Sequence, residues 1–297
     1  MKFNPATDIP DLSGKVIFVT GGTAGIGKES VLALAKHNPE RIYFSGRDTK
    51  RAAEVIAEAT SAANIIFLEC DLTSLSSVQK AAQKIISESD RLDILMLNAG
   101  IMDAPLGLTK DGYEIQFGTN HIAHALFVKL LLPTLLRTAE APGSDVRVVS
   151  LTSTGFALHP RGGILFDGLR TPQGGGLVNY GQSKLANILY AAELARRYPQ
   201  ITALSVHPGV VRTGLVGNLT GLTKALVQVT NMFTMVTPAE GARNQLWAAT
   251  GKKEKMVNGE FYEPVGAPGK HARKSKDVKL AGQLWEWTDK ELESYGV

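Results

Sequence analysis

The stretch Val16-Ile17-Phe18-Val19-Thr20-Gly21-Gly22-Thr23-Ala24-Gly25-Ile26-Gly27 decides the reading of the fold. Four consecutive apolar residues, mostly β-branched, suit a strand buried on both faces. A glycine-rich turn follows, then a helical pattern from about Gly25 to Lys36, closed by His37-Asn38-Pro39. Glycines in such a strand–turn–helix permit a tight turn and close approach of backbone to a pyrophosphate. They also leave the positive helix N-terminus open to an anion. Gly21, Thr23, Ala24, Gly25, Ile26 and Gly27 are therefore candidate cofactor contacts. A lone βα turn of this kind also occurs in sheets that bind no nucleotide, so its surroundings must carry the argument.

Outward from this unit the same rhythm repeats. Ile42–Phe44, Ile65–Leu68, Ile94–Leu97, Val146–Leu151, Ala203–Val206 and Phe261-Tyr262 read as further strands. Helical patterns stand between them at about 48–62, 74–88, 115–138 and 180–198. The expectation is an α/β fold: a single doubly wound Rossmann domain, about seven parallel strands with helices on both faces. No internal repeat or linker interrupts residues 1–297. The Gly/Pro-rich stretch at about 155–178 reads as a substrate-side insertion, and about 265–297 as a C-terminal extension.

The formal net charge of 297 residues is only +4, with no stripe that would suit a nucleic acid. Much of the excess lies in Lys252, Lys253, Lys255, Lys270, Arg273, Lys274, Lys276 and Lys279, and Glu286, Asp289, Glu291 and Glu293 follow, as on a solvated surface. The single cysteine, Cys70, has no intramolecular disulfide partner and reads as a small buried hydrophobe in a reducing compartment. The first residues have no apolar signal core, and no stretch reaches the roughly 18 apolar residues of a membrane span. The expectation is a cytoplasmic protein without an integral membrane segment.

The residue at the end of the second strand reads the adenine ribose in nucleotide-binding sheets. Arg47 stands 20 residues after Gly27, where an acid would select a free 2′-hydroxyl. A guanidinium there favours the 2′-phosphate of NADP(H). Asp48 is the rival ribose ligand, and reads instead as a helix N-cap.

Tyr180-Gly181-Gln182-Ser183-Lys184 opens a helix, with Tyr180 and Lys184 one turn apart on one face. A tyrosine of ordinary pKa, about 10, is a poor base at neutral pH. An adjacent ammonium is expected to bring it toward working range.

Together with Asn98-Ala99-Gly100 and Ser153, these motifs resemble the short-chain dehydrogenase/reductase family over roughly residues 14 to 265. The resemblance is nearest to the branch of retinol dehydrogenases and WW-domain oxidoreductases. It is carried by Asp111-Gly112-Tyr113-Glu114 leading to Asn120-His121, by Ser183–Leu189, and by His207-Pro208-Gly209-Val210-Val211-Arg212-Thr213. The resemblance implies that Tyr180 exchanges a proton with the substrate oxygen. Lys184 would hold the nicotinamide ribose, Ser153 polarise the carbonyl, and Asn120 support a proton-carrying water. Asp71 and Leu72 would contact adenine, and Asn98, Ala99 and Gly100 line the cleft. Pro208, Gly209, Val211 and Thr213 would lie beside the nicotinamide. One departure is the run Ser150-Leu151-Thr152-Ser153-Thr154, where the branch has paired serines. The 27 residues from Ser153 to Tyr180 exceed the family's usual spacing, so Thr152 and Thr154 stay as rivals to Ser153.

His121-x-x-His124 has metal-pair spacing on a helix but no evident third ligand, so packing or polar helix positions are expected and no metal. The apolar, glycine-punctuated stretch at about 214–236 reads as a lid over an apolar substrate, with a membrane-surface helix as the rival. The expected partner is a small apolar carbonyl or alcohol, reduced or oxidised with NADP(H). A reductase of carbon–carbon double bonds and a non-enzymatic NADP-binding regulator are the alternatives. The latter predicts loss of Tyr180 or Lys184, and both are present. Helices 115–138 and 180–198 form the dimer face in many relatives, so a homodimer is possible unless the C-terminal extension changes that face.

Overall fold

The computed structural model describes residues 3–59, 64–212 and 235–296. Its centre is one eight-stranded sheet in the order β3-β2-β1-β4-β5-β6-β7-β8. These strands are β1 (Val16–Val19), β2 (Arg41–Gly46), β3 (Asn64–Glu69), β4 (Ile94–Leu97), β5 (Arg147–Leu151), β6 (Thr202–Val206), β7 (Phe261–Glu263) and β8 (Ala267–Pro268). Strands β1 to β7 are parallel, as the apolar runs imply, and β8 adds an antiparallel edge.

Among the described residues the longer helices are α1 (Gly25–Ala35), α2 (Thr49–Glu58), α3 (Leu75–Glu88), α4 (Ile115–Ala139), α5 (Gly176–Arg197), α6 (Pro238–Thr250) and α7 (Val278–Glu291). Alternate residues of β1 explain why the run had to be wholly apolar. Val16 and Phe18 enter one core with α3, α4, α5 and α7. Ile17 and Val19 enter another with α1, α2 and α6. Phe18, fully buried and edge-on to Phe127 at 4.9 Å, joins β1 to α4. Removing such a ring costs about 3–5 kcal/mol.

Four features differ from the pattern in the sequence. Helix α4 contains a π-helical turn at Gly118–Ile122, a form that apolar periodicity does not report. Helix α5 begins at Gly176, so Tyr180 lies in its second turn rather than at its start. Helix α6 was hidden by its small and polar buried face, Ala242, Asn244, Gln245 and Ala248. Helix α7 turns much of the C-terminal extension into core, with Leu280, Ala281, Leu284 and Thr288 buried.

Helix α4 is long and apolar enough by composition to cross a membrane, but 67% of its apolar window is buried inside the protein. Helix α7 lies on the α4/α5 face: Trp285 stacks on Tyr190 of α5 at 4.6 Å, and Asp289 pairs with Lys129 of α4 at 2.8 Å. A dimer through α4 and α5 would have to displace it. Cys70 is buried and its thiol is pushed up to about 12 by desolvation.

Candidate active site

Strand order reverses between β1 and β4, and the crevice outside the C-terminal ends of those strands is where open α/β sheets bind ligands. Gly21 takes φ +69°, and a Cβ there would lie 2.9 Å from Ala99 Cβ. A Cβ on Gly27 would meet Gly21 O at 2.3 Å and Asn98 Nδ2 at 2.4 Å. The glycines thus let the turn close against the β4 loop. Asn98 braces it further, donating through Nδ2 to Thr20 O at 2.8 Å. Ala24 caps α1 with no side-chain hydrogen bond, so the N-terminal amides of that helix keep their capacity for an anion. Thr23 lies under Gly46, whose added Cβ would meet Thr23 Cγ2 at 2.6 Å. This cradle fits a dinucleotide pyrophosphate.

At the end of β2, Thr23, Arg47, Asp48, Thr49 and Arg51 line one pocket. Asp48 caps α2, accepting from Arg51 N at 3.0 Å, and pairs with Arg51 Nε at 3.3 Å. Its carboxylate is therefore engaged, while Arg47 is exposed. Arg51 was not singled out in the sequence, although its place four residues after Arg47 was visible.

Asp71 is similarly engaged. Its carboxylate accepts from Thr73 N at 3.0 Å and Thr73 Oγ1 at 2.8 Å, and pairs with Lys110 at 2.9 Å. These partners hold it below the ordinary carboxylate range, against the raising effect of burial. Leu72 packs on the core beside it. On the opposite side of the cleft, Gly209 takes φ +87°, and Val211 bridges Val236. Val211 also reaches α6, since a Cβ on Gly241 would meet Val211 Cγ2 at 2.5 Å and Ile26 Cγ2 at 3.0 Å. The 208–211 segment is thus carried against the start of α1. Thr213 and residues 214–234 of the expected lid lie outside the described residues.

Ser153 and Tyr180, far apart in sequence, meet because a 3₁₀ turn at Thr154–Leu158 packs across α5. Gly181 permits this, since a Cβ there would sit 2.8 Å from His159 N and Leu158 C. Tyr180 and Ser153 come together at Gly155, where an added Cβ would lie 3.0 Å from Tyr180 Cε1 and 3.3 Å from Ser153 Oγ. The rivals of Ser153 are placed otherwise: Thr152 Oγ1 is buried and donates to Lys184 O at 2.7 Å, and Thr154 is exposed. Burial dominates the titration of the pair. It pushes the Tyr180 phenol up to about 12, with the Ser153 hydroxyl opposing, and draws Lys184 down to about 8. The expected lowering of Tyr180 by Lys184 is not what this geometry gives. Lys184 Nζ donates to Leu151 O at 3.2 Å and stands 5.7 Å from the Tyr180 ring centre.

Asn120 lies in the π turn, fully buried. Its Oδ1 accepts from Ile101 N at 2.8 Å, and its Nδ2 donates to Ile101 O and to Ser183 Oγ, each at 2.9 Å. A Cβ on Gly100 would fall 3.1 Å from Asn120 Oδ1 and 3.3 Å from Lys184 Nζ. The glycine therefore brings the β4 loop, Asn120 and Lys184 together. His121 and His124 are buried with separate partners. His121 faces Asn187 Oδ1 at 3.4 Å and Thr288 Oγ1 at 3.3 Å, and His124 faces Thr20 Oγ1 at 2.9 Å and Asn120 O at 3.1 Å. Desolvation lowers them to about 4 and about 3, so both are neutral polar members of the core.

With this geometry in place, comparisons with known proteins agree on one relationship. Residues 15–159 match the family model described as short chain dehydrogenase. The chain is 40% identical to an uncharacterized oxidoreductase of Schizosaccharomyces pombe, over 96% of this chain and 87% of that protein. It is 39% identical to a short-chain dehydrogenase/reductase of Armillaria gallica, over 97% and 93% of the respective lengths. Among solved structures, the NADPH-bound carbonyl reductase from chicken fatty liver is similar with a TM-score of 0.66 at 26% identity, over 88% of this chain and 100% of that one.

Proposed function

Because the chain belongs to the short-chain dehydrogenase/reductase family, an oxidoreductase family, we propose that it uses NADP(H) to reduce the ketone or aldehyde of an apolar substrate to an alcohol, or the reverse. The observation that carries this reading is the meeting of Tyr180, Ser153 and Lys184 beside the glycine cradle. Gly21 to Gly27 and Asn98 to Gly100 would hold the dinucleotide, with Pro208, Gly209 and Val211 on the nicotinamide side. Asp71 and Leu72 stand at the adenine end. Arg47 would meet the 2′-phosphate. The nearby NADPH-bound carbonyl reductase structure supports this choice of cofactor and substrate group.

When bound, the cofactor supplies or accepts the hydride. The chain's own residues manage the oxygen. Tyr180, a neutral phenol, is suited to give its proton to the substrate oxygen as the carbonyl becomes an alcohol. Ser153 Oγ would donate a hydrogen bond to the same oxygen, stabilising charge that develops there. The resulting phenolate faces the Lys184 ammonium, which with a pKa of about 8 can return a proton. Asn120 ties the loop after β4, at Ile101, to the helix that carries this pair. Leu158 and Val178, 49% and 39% exposed, flank the turn of α5 that carries Tyr180 and support an apolar substrate. Cys70, a buried thiol, supports a reducing compartment, and the cytosol is the proposed location.

NADPH consumption with a panel of apolar ketones, aldehydes and enones tests the reading, with products identified by mass spectrometry. Alcohol products, formed faster with NADPH than with NADH, are expected. No consumption with any carbonyl would overturn it, and saturated ketones from enones alone would replace it with double-bond reduction.

A further inference from the structure

His124 is buried at the centre of the molecule, and the proposed chemistry does not use it. Its surroundings nonetheless fix where its proton lies. Thr20 Oγ1, itself fully buried, accepts from Asn98 N at 2.9 Å and from Ala99 N at 3.1 Å. Both acceptor sites of the hydroxyl are then filled, and only its proton remains to be shared. That proton has two possible acceptors: Met96 O at 3.4 Å and His124 Nε2 at 2.9 Å. The imidazole is the closer. On the far side of the ring, Nδ1 stands 3.1 Å from Asn120 O, which can only accept. A proton on Nδ1 satisfies both ends at once. A proton on Nε2 would overload the hydroxyl and set Nδ1 against a carbonyl lone pair. A doubly protonated ring would bury a cation near Lys184, and desolvation opposes it.

From this we infer that His124 is a positioning residue, locked as the Nδ1–H tautomer, which ties the cofactor cleft to the catalytic helix through one ordered chain of hydrogen bonds. The chain runs from the Asn98 and Ala99 amides to Thr20, from Thr20 to His124, and from His124 to the Asn120 carbonyl. The Asn120 side chain continues it, donating to Ser183 Oγ at 2.9 Å, and Ser183 Oγ donates to Tyr180 O at 2.8 Å. Every side chain in the chain is buried. A buried network of this kind rigidifies what it joins when each member is satisfied. One end holds the Asn98–Gly100 loop of the cofactor cleft. The other holds the main chain of the proton donor.

The two ends can be cut separately. An asparagine at 124 places an amide N–H near the Nδ1 position and lacks the Nε2 acceptor, whereas glutamine reaches toward Thr20 and lacks the Nδ1 donor. His124→Asn should therefore weaken NADPH binding about tenfold, the size of one buried hydrogen bond lost, while leaving kcat nearly intact. His124→Gln should lower kcat by a similar factor and leave NADPH affinity nearly intact. NADPH affinity is read by fluorescence titration of the full chain. Equal changes in both readouts for the two variants would overturn the coupling role and reduce His124 to packing. The tautomer itself is read from histidine-¹⁵N spectra of the wild-type protein, with His124 assigned from the variants or, if they do not fold, by site-resolved coupling to the Asn120 carbonyl. A protonated Nδ1 with a bare Nε2 is expected, and a protonated Nε2 would overturn the inference. The kcat and NADPH readouts rest on the proposed function, whereas the tautomer measurement does not. An enzyme inactive on every carbonyl would sink that reading and leave the tautomer measurement to judge this one.

Discussion

The ammonium of Lys184 lies 5.7 Å from the centre of the Tyr180 ring while donating to the carbonyl of Leu151. Both groups are buried, and burial moves them in opposite senses, the phenol to about 12 and the ammonium to about 8. Each is pushed toward its neutral form. At neutral pH this leaves a protonated tyrosine beside a lysine that parts with its proton readily. Such a pair is arranged to donate to a substrate oxygen and then recover.

Lys184 should set the upper limb of the pH profile. Its folded pKa of about 8 lies below the ordinary 10.5. Reduction should therefore slow as pH rises past about 8, where Lys184 loses the proton it would return. The same shift affects folding. Between about 8 and 10.5 the unfolded chain binds more protons at this site than the folded one, so stability from this group rises with pH across that window. Lys184→Met should erase the rise in denaturant midpoint. A kcat that stays level until pH approaches the tyrosine value would refute this role.

Arg47 should decide between the two nicotinamide cofactors. A charge-assisted contact to phosphate is worth about 1.5–3 kcal/mol, so Arg47→Ala should weaken NADPH binding roughly ten- to hundredfold and leave NADH binding nearly unchanged. Parallel fluorescence titrations of the two cofactors measure it. Equal losses would promote Asp48 to ribose ligand despite its engagement with Arg51.

Helix α7 should behave as core rather than as a tail. Trp285 stacks on Tyr190 with the rings 16° apart, and the Arg197 guanidinium lies 5.1 Å over the Trp285 ring. Trp285→Ala should lower stability by about 1–3 kcal/mol through lost apolar burial and lost stacking. Thermal unfolding reads this directly. An unchanged midpoint would mean that the C-terminal segment only rests on the α4/α5 face.

The sheet was legible chiefly in its inner strands, where burial on both faces gives wholly apolar runs such as Val16–Val19 and Ile94–Leu97, while the two-residue edge strand β8 is exposed and carries no such pattern. Helix α6 was legible in principle: Thr237-Pro238-Ala239-Glu240 forms a capping box, with Pro at the first turn. Its apolar periodicity is weak because glycine, alanines, Asn244 and Gln245 share the buried face with Leu246 and Trp247. Helix α7 carries an apolar face, Leu280, Ala281 and Leu284, but Lys274, Lys276 and Lys279 around its start give the segment the composition of a charged surface. The start of α5 was masked by Gly174-Gly175-Gly176, which reads as loop. Local spacing brought Tyr180 and Lys184 together, but it carried no information on desolvation, and desolvation governs their titration. The partnership of His124 with Thr20 spans 104 positions, so only tertiary structure reveals it.

The central claim, that Tyr180 is the proton donor of a carbonyl reductase, rests most directly on Tyr180→Phe. The ring and its packing are kept, and only the hydroxyl beside Ser153 is removed. General acid catalysis is typically worth about 10² to 10⁴-fold, so kcat for an apolar ketone should fall by at least about a hundredfold while NADPH affinity stays within about twofold. A variant that keeps more than about a tenth of the wild-type kcat, with the same NADPH affinity, would contradict the assignment.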